Sequence, residues 1–265
     1  MRLTAGEIAH ATGGEVVGDP TVVAGSFSID SRTLEPGACF VALVAERDGH
    51  DFVVDAFERG AVVAVVAREV DPGSGGRTLV RVDDTLAALG ALGARARDRL
   101  AEATVVGITG SAGKTATKDL LAASVSRTHR FTASPVSWNN EAGLPLTVLA
   151  AELDTEVVVA EMGARAAGNI AELCAIARPH IGVITNIGLA HAGPLRGREG
   201  IAATKGELLE ALPASGVAVL DAADELTPTL ARRTVARVLL VGLLAQGDVD
   251  VSATEIVLDE ELRPS

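Results

Sequence analysis

One short segment constrains this chain more than any other. Val105-Val106-Gly107-Ile108-Thr109-Gly110-Ser111-Ala112-Gly113-Lys114-Thr115 is an apolar run, a turn containing glycine, and the start of a helical stretch. Gly110 and Gly113 allow the backbone to turn tightly and aim its N–H groups inward. The helix beginning near Lys114 adds the positive end of its dipole, so the turn is suited to an anion. Lys114 is placed to reach the β- and γ-phosphates of a nucleotide, and the Thr115 hydroxyl to ligate Mg²⁺. Thr109, Gly110, Ser111, Ala112, Gly113, Lys114 and Thr115 are therefore expected to form a phosphate loop for ATP and Mg²⁺.

The pattern resembles a Walker A loop in which Ile108 occupies the usual first glycine position. Around it, strand-like and helix-like stretches alternate. Strands are expected at Val105–Thr109, Glu156–Glu161, Ile181–Asn186, Val217–Leu220 and Val238–Val241, with a further strand-like run at Val249–Val257. Helices are expected at Lys114–Ser126, Gly168–Ala177 and Ile201–Leu212. Short apolar strands separated by helices predict a parallel sheet covered on both faces, with ligands beyond the carboxyl ends of the strands. The first hundred residues read differently, as a small mixed unit. It has a helix capped by Thr4, strands at Val22–Phe27, Cys39–Leu43 and Val62–Val66, and helices at Val53–Arg59 and Thr85–Leu100. The fold class is α/β. It comprises a small mixed domain over 1–101 and a P-loop-type parallel-sheet domain over 102–265, the latter expected to be incomplete at its C-terminus.

Three further residues carry candidate chemistry. Glu161 falls at the carboxyl end of an apolar strand, where a carboxylate can meet a metal held by Thr115, and oxygen ligands suit Mg²⁺. His191 follows another apolar strand and could hold Mg²⁺ or a phosphate oxygen. Lys205 lies inside the apolar stripe of Ile201, Leu208, Leu209 and Leu212. A lysine there must snorkel, pair, or be chemically altered. Partial burial leaves more neutral amine, which can take up CO₂ to give an anionic carbamate. Of 23 basic residues only Lys114, Lys118 and Lys205 are lysines, so each invites a reason. Lys118, one turn beyond the loop, reads as a solvated helix residue.

Composition excludes some partners. A formal net charge of -12 and 2% aromatic residues disfavour a nucleic-acid partner. No run reaches the length of a membrane span and the N-terminus has no apolar leader, so a soluble cytoplasmic protein is expected. Cys39 and Cys174 have no metal-type spacing and read as buried or idle thiols.

Four segments, in order, carry a family resemblance: Gly107–Thr115, Trp138-Asn139-Asn140-Glu141-Ala142-Gly143-Leu144-Pro145-Leu146-Thr147, Glu161-Met162-Gly163-Ala164-Arg165 and Thr185-Asn186-Ile187-Gly188-Leu189-Ala190-His191. Together they resemble the Mur ligases, above all those that join D-alanyl-D-alanine to UDP-N-acetylmuramoyl-tripeptide. Ile29-Asp30-Ser31-Arg32, Pro36–Leu43 and Asp48-Gly49-His50-Asp51-Phe52 are similar to the family's uridine-nucleotide-binding domain. The resemblance implies an ATP-dependent amide ligase of peptidoglycan synthesis working through an acyl phosphate. It implies catalytic roles for Lys114, Glu161, His191 and Lys205. Mg²⁺ would be held by Thr115, Glu161, His191 and a carbamylated Lys205. Asp30, Ser31 and Arg32 would hold the uridine end, and Asn139 and Asn140 would contact nucleotide or muramoyl substrate. Ala45 and Ala166 stand where the family usually has glycine. Family members also continue past Ser265 into a third domain, so this chain alone is expected to be inactive. Another ligase of the superfamily, such as a folylpolyglutamate synthase or a muramyl ligase adding one amino acid, and a non-catalytic ATP- or UDP-sugar-binding fragment are the competing expectations.

Overall fold

The structure, a computed structural model, describes residues 1–73, 75–135, 137–188, 197–243 and 249–253. The first part of the chain runs β1 (Leu3–Thr4), α1 (Ala5–Thr12), β2 (Glu15–Val17), β3 (Val23–Ala24), β4 (Ser26–Ser28) and β5 (Ala38–Val41). A 3₁₀ turn at Gly49–Phe52 then leads to α2 (Val53–Glu58), β6 (Val63–Val66), β7 (Thr78–Arg81) and α3 (Thr85–Arg99). Strands β4, β5, β6 and β7 pair in parallel, and β2 closes the sheet antiparallel to β7. β1, β2 and β7 were not legible in the sequence, being short and not strictly alternating, and the strand expected at Val22–Phe27 is divided between β3 and β4.

The second part runs β8 (Thr104–Thr109), α4 (Lys114–Val125), β9 (Phe131–Ala133), α5 (Gly143–Leu149), β10 (Val157–Glu161) and α6 (Asn169–Ala177). It continues with β11 (Ile181–Ile184), α7 (Gly197–Glu210), β12 (Val217–Asp221), α8 (Thr227–Ala231), β13 (Arg237–Leu243) and β14 (Val251–Ala253). Among the described residues these strands form one seven-stranded sheet, order β14-β13-β12-β11-β8-β10-β9. Every pair in it is parallel, as the alternation predicts. The chain fills one side of β8 with β9 and β10, then crosses to the other with β11. The strand order thus reverses at β8, and the segments after β8 and β10 line one crevice.

Packing follows the pleat. Val106, Ile108, Val157 and Val159 point to the α4 side, with Leu121 of α4 against them. Val105, Val158 and Ala160 point to the other side, into a core shared with α3, α5, α6 and Leu208 of α7. That same core contains Leu3, Ile8, Cys39 and Val41, so the two sheets are joined through α1, α3 and α5. Both cysteines are buried, and burial pushes the Cys174 thiol up to about 12.

Helix ends show where the chain keeps polar groups satisfied and where it does not. Thr4 and Glu7 form a reciprocal capping box on α1, and Asp84 accepts from Leu86 N and Ala87 N at the start of α3. Such caps contribute about 1 kcal/mol each. Buried Arg97 donates to the carbonyls of Leu100 and Ala177, fastening the C-terminal ends of α3 and α6 together. By contrast, α4 begins at Gly113 with no side-chain cap.

Candidate functional site

The uncapped start of α4 is the centre of the site. Gly113 has φ 79° and Gly110 φ 153°. A Cβ on Gly110 would lie 1.8 Å from Thr185 Oγ1, so the loop closes on the strand-end residue of β11 only because glycine is there. Asn186 and Thr185 hold the loop from that side. Ser111 N donates to Asn186 O (3.1 Å), Ala112 N to Asn186 Oδ1 (3.1 Å), and Thr185 Oγ1 to Ala112 O (2.6 Å). The N–H groups of Ser111 and Ala112 are therefore engaged within the protein. Those of Gly113, Lys114 and Thr115 have no partner among the described residues, and they sit at the positive end of α4. The N–H groups of the expected loop left without a partner among the described residues are thus those of 113–115. The Lys114 ammonium folds back onto Gly110 O at 2.9 Å. Thr109 is fully buried and its hydroxyl has no partner among the described residues.

Across the crevice, Glu161 ends β10 with its side chain buried. Thr115 Oγ1 donates to Glu161 Oε2 at 2.9 Å, and Asn139 Nδ2 to Glu161 Oε1 at 2.8 Å. Ser137 Oγ is 3.3 Å from the Thr115 hydroxyl. A hydroxyl and a carboxylate of this kind form a hard-oxygen donor set that fits Mg²⁺ better than a softer metal. Asn140 turns the other way, and its Oδ1 accepts from Gly143 N at 2.9 Å to start α5. His191 lies outside the described residues.

Lys205 is 7% exposed and forms no hydrogen bond or ion pair among the described residues. Burial, and then the nearby Lys114, bring its pKa down to about 8. Lys118 corrects the sequence reading. It is 2% exposed, donates to Ser134 O at 2.7 Å and pairs with Asp119 at 2.9 Å, so it is a buried strut between α4 and the end of β9.

Two cavities meet here. A cavity of about 370 Å³ is lined by Lys114, Arg165 and Lys205 together with Asn139, Asn140, Glu141 and Asn169. Basic side chains (Lys114, Arg165, Lys205) outnumber the one carboxylate, Glu141, in its lining, against a formal net charge of -12 for the chain. A larger cavity of about 940 Å³ lies between the first sheet and the start of α5, beside Asp30, Ser31, Arg32, Arg47 and Phe52. Asn140 and Glu141 line both. In the larger cavity Arg32 grips Asp30 through two bonds of 2.9 and 2.7 Å, holding that carboxyl down at about 2. The Arg47 guanidinium stacks 4.3 Å over the Phe52 ring. Buried His50 accepts from Ala67 N through Nε2 and so turns its Nδ1 proton to Asp48, bracing this wall. Arg47, Glu141 and Arg165 were not singled out in the sequence, since isolated charged residues in loops carry no periodic signal.

The family model described as the Mur ligase middle domain matches residues 108–261, more than half of the chain. This chain belongs to the Mur ligase family. A curated relative from Mycobacterium leprae, named UDP-N-acetylmuramoyl-tripeptide–D-alanyl-D-alanine ligase, is 42% identical over 91% of this chain and 52% of its own length. Among solved structures, MurF from Acinetobacter baumannii superposes with a TM-score of 0.87 at 34% identity, covering 97% of this chain and 56% of that one. The MurF ligase of Thermotoga maritima in complex with ADP gives 0.75 at 32% identity, covering 89% and 53%. The chain spans about half the length of the curated relatives it matches. No described helix of this Mur ligase chain is long and apolar enough to cross a membrane.

Proposed function

We propose that this protein is an ATP-dependent amide ligase of peptidoglycan precursor synthesis, acting as a UDP-N-acetylmuramoyl-tripeptide–D-alanyl-D-alanine ligase. Residues 1–101 serve as its UDP-sugar unit and 102–265 as its ATP unit. The observation that carries this reading is that the two cavities share Asn140 and Glu141 in their walls. A substrate anchored by its uridine end beside Asp30, Ser31 and Arg32 can extend its peptide carboxylate to the phosphate loop without leaving the protein surface. The names of the relatives, and the ADP bound by one of them, support the same assignment.

In the reaction, the terminal carboxylate of the tripeptide attacks the γ-phosphorus of ATP, releasing ADP and forming an acyl phosphate. The amine of D-alanyl-D-alanine then attacks the acyl carbon, phosphate leaves, and the nitrogen loses a proton to give the amide. The protein contributes position and electrostatics. Lys114, released from Gly110 O, follows the transferred phosphoryl group. The N–H groups of Gly113, Lys114 and Thr115 bind phosphate oxygens. Arg165 and Lys114 attract the reacting carboxylate into the smaller cavity. Thr115 and Glu161 would hold Mg²⁺, with His191 and Lys205 as further ligands. Bound there, Mg²⁺ would supply charge neutralisation on the phosphoryl oxygens. Lys205 joins as a carbamate: its neutral amine adds to CO₂ and loses one proton, leaving an anion beside Lys114. Nucleotide and UDP-sugar substrates imply a cytoplasmic location.

Calorimetric titration tests the substrate class. UDP-N-acetylmuramoyl-tripeptide is expected to bind and to be displaced by UDP. A protein that ignored uridine compounds but bound a folate substrate would belong instead with another ligase of the superfamily.

A further inference from the structure

Lys205 has no bond of its own among the described residues, so its place depends on how α7 is held: by the buried stripe of Ile201, Leu208 and Leu209, and by polar ties at its flanks. Two residues along, Glu207 leaves α7 and accepts from Gly168 N at 2.7 Å through Oε1 and from Ala171 N at 3.0 Å through Oε2. Those N–H groups are the N-cap and third residue of α6, which has no side-chain cap from its own segment. A carboxylate at a helix N-terminus gains from the dipole as well as from two charge-assisted bonds. The first residue of α6, Asn169, lines the same cavity as Lys205 and folds its Oδ1 back onto Arg165 N and Ala166 N. Glu207 therefore ties the helix carrying Lys205 to the segment carrying Arg165 and Asn169.

A neighbouring flank of α7 is gripped separately. Arg233 lies across the helix, donating to Ala202 O and Ala203 O and pairing with Glu210. Residue 206 is glycine, and a Cβ there would stand 2.0 Å from the guanidinium in this position, so a larger residue would displace the arginine. In the Lys205-Gly206-Glu207 triplet the outer residues thus aim in different directions while the middle one admits the clamp.

We propose that Glu207 is a positioning residue, fixing α7 against the N-terminus of α6 so that Lys205 points into the phosphate cavity. This rests on the assignment of Lys205 to the ligase site, but the test below does not need ligase activity. Because Lys114, Lys118 and Lys205 are the only lysines, each amine can be followed separately by mass spectrometry after brief acylation with a water-soluble N-hydroxysuccinimide ester. Lys118, buried on α4 and bonded to Ser134, reports general loosening. In Glu207→Ala, Lys205 is expected to label at least about fivefold faster, with Lys118 unchanged, because only the α6–α7 tie is lost. Glu207→Gln keeps one acceptor oxygen and is expected to fall between Glu207→Ala and the parent. An unchanged Lys205 rate in Glu207→Ala, or Lys205 and Lys118 accelerating together, would overturn the proposal. Full ligase turnover in Lys205→Ala would instead remove the role assigned to Lys205 and leave the labelling result standing.

Discussion

Replacing Lys114 by alanine is expected to weaken Mg-ATP binding at least about a hundredfold, equivalent to ~2.7 kcal/mol. The loop amides would remain, since Gly113 still opens α4 and Asn186 still holds Ala112. What disappears is the flexible cation of the cavity wall, now parked on Gly110 O at 2.9 Å. A lysine bound only to a carbonyl gives up little when it moves to a phosphate, so nearly all of its attraction to the nucleotide counts towards affinity. Calorimetric titration of the purified variant measures the loss. An unchanged affinity would mean that the phosphates bind elsewhere. Lys114→Arg is not expected to restore affinity fully, because a planar guanidinium does not fit where a compact ammonium reaches between loop and phosphate.

The second large effect concerns Lys205. A buried amine with no partner among the described residues and a pKa of about 8 holds a useful neutral fraction near neutrality, which is the form that reacts with CO₂. With ¹³C-bicarbonate, the parent protein is expected to show a lysine carbamate carbon resonance that is absent from Lys205→Ala. Where ligase turnover is measured, Lys205→Ala is expected to lose on the order of 10²-fold, with partial recovery on adding a short-chain carboxylate. A carbamate signal that persisted in Lys205→Ala, or none in the parent, would remove carbamylation from the account.

The parallel sheet was legible because its strands are short apolar runs, and because the Gly110–Thr115 turn places a helix immediately after β8. That Glu161 and Thr115 would meet was legible for a related reason: Glu161 ends β10 and Thr115 opens α4 just past the end of β8, on the ligand edge of the sheet. Less could be read where function is shared between distant segments. α5 was missed because Gly143 and Pro145 suggest a loop, yet Pro145 stands in the first turn, where no intrahelical N–H is needed, and all seven residues are buried. Lys118 was read as solvated because helical spacing does not reveal that Ser134 will offer its carbonyl. The division of labour between Asn139 and Asn140 was also hidden, since adjacent identical residues can turn to different partners, here Glu161 and Gly143. Lys205 was visible as an anomaly of its helix stripe, but its setting by Glu207 depends on α6, a separate element.

The most direct test is a crystal structure of this chain with UDP-N-acetylmuramoyl-tripeptide, Mg²⁺ and a non-hydrolysable ATP analogue. The uridine is expected beside Asp30 and Arg47, the peptide passing Asn140 and Glu141, and its terminal carboxylate facing the γ-phosphate at Lys114. Nucleotide phosphates bound away from residues 113–115, or a peptide carboxylate directed away from Lys114, would contradict the account.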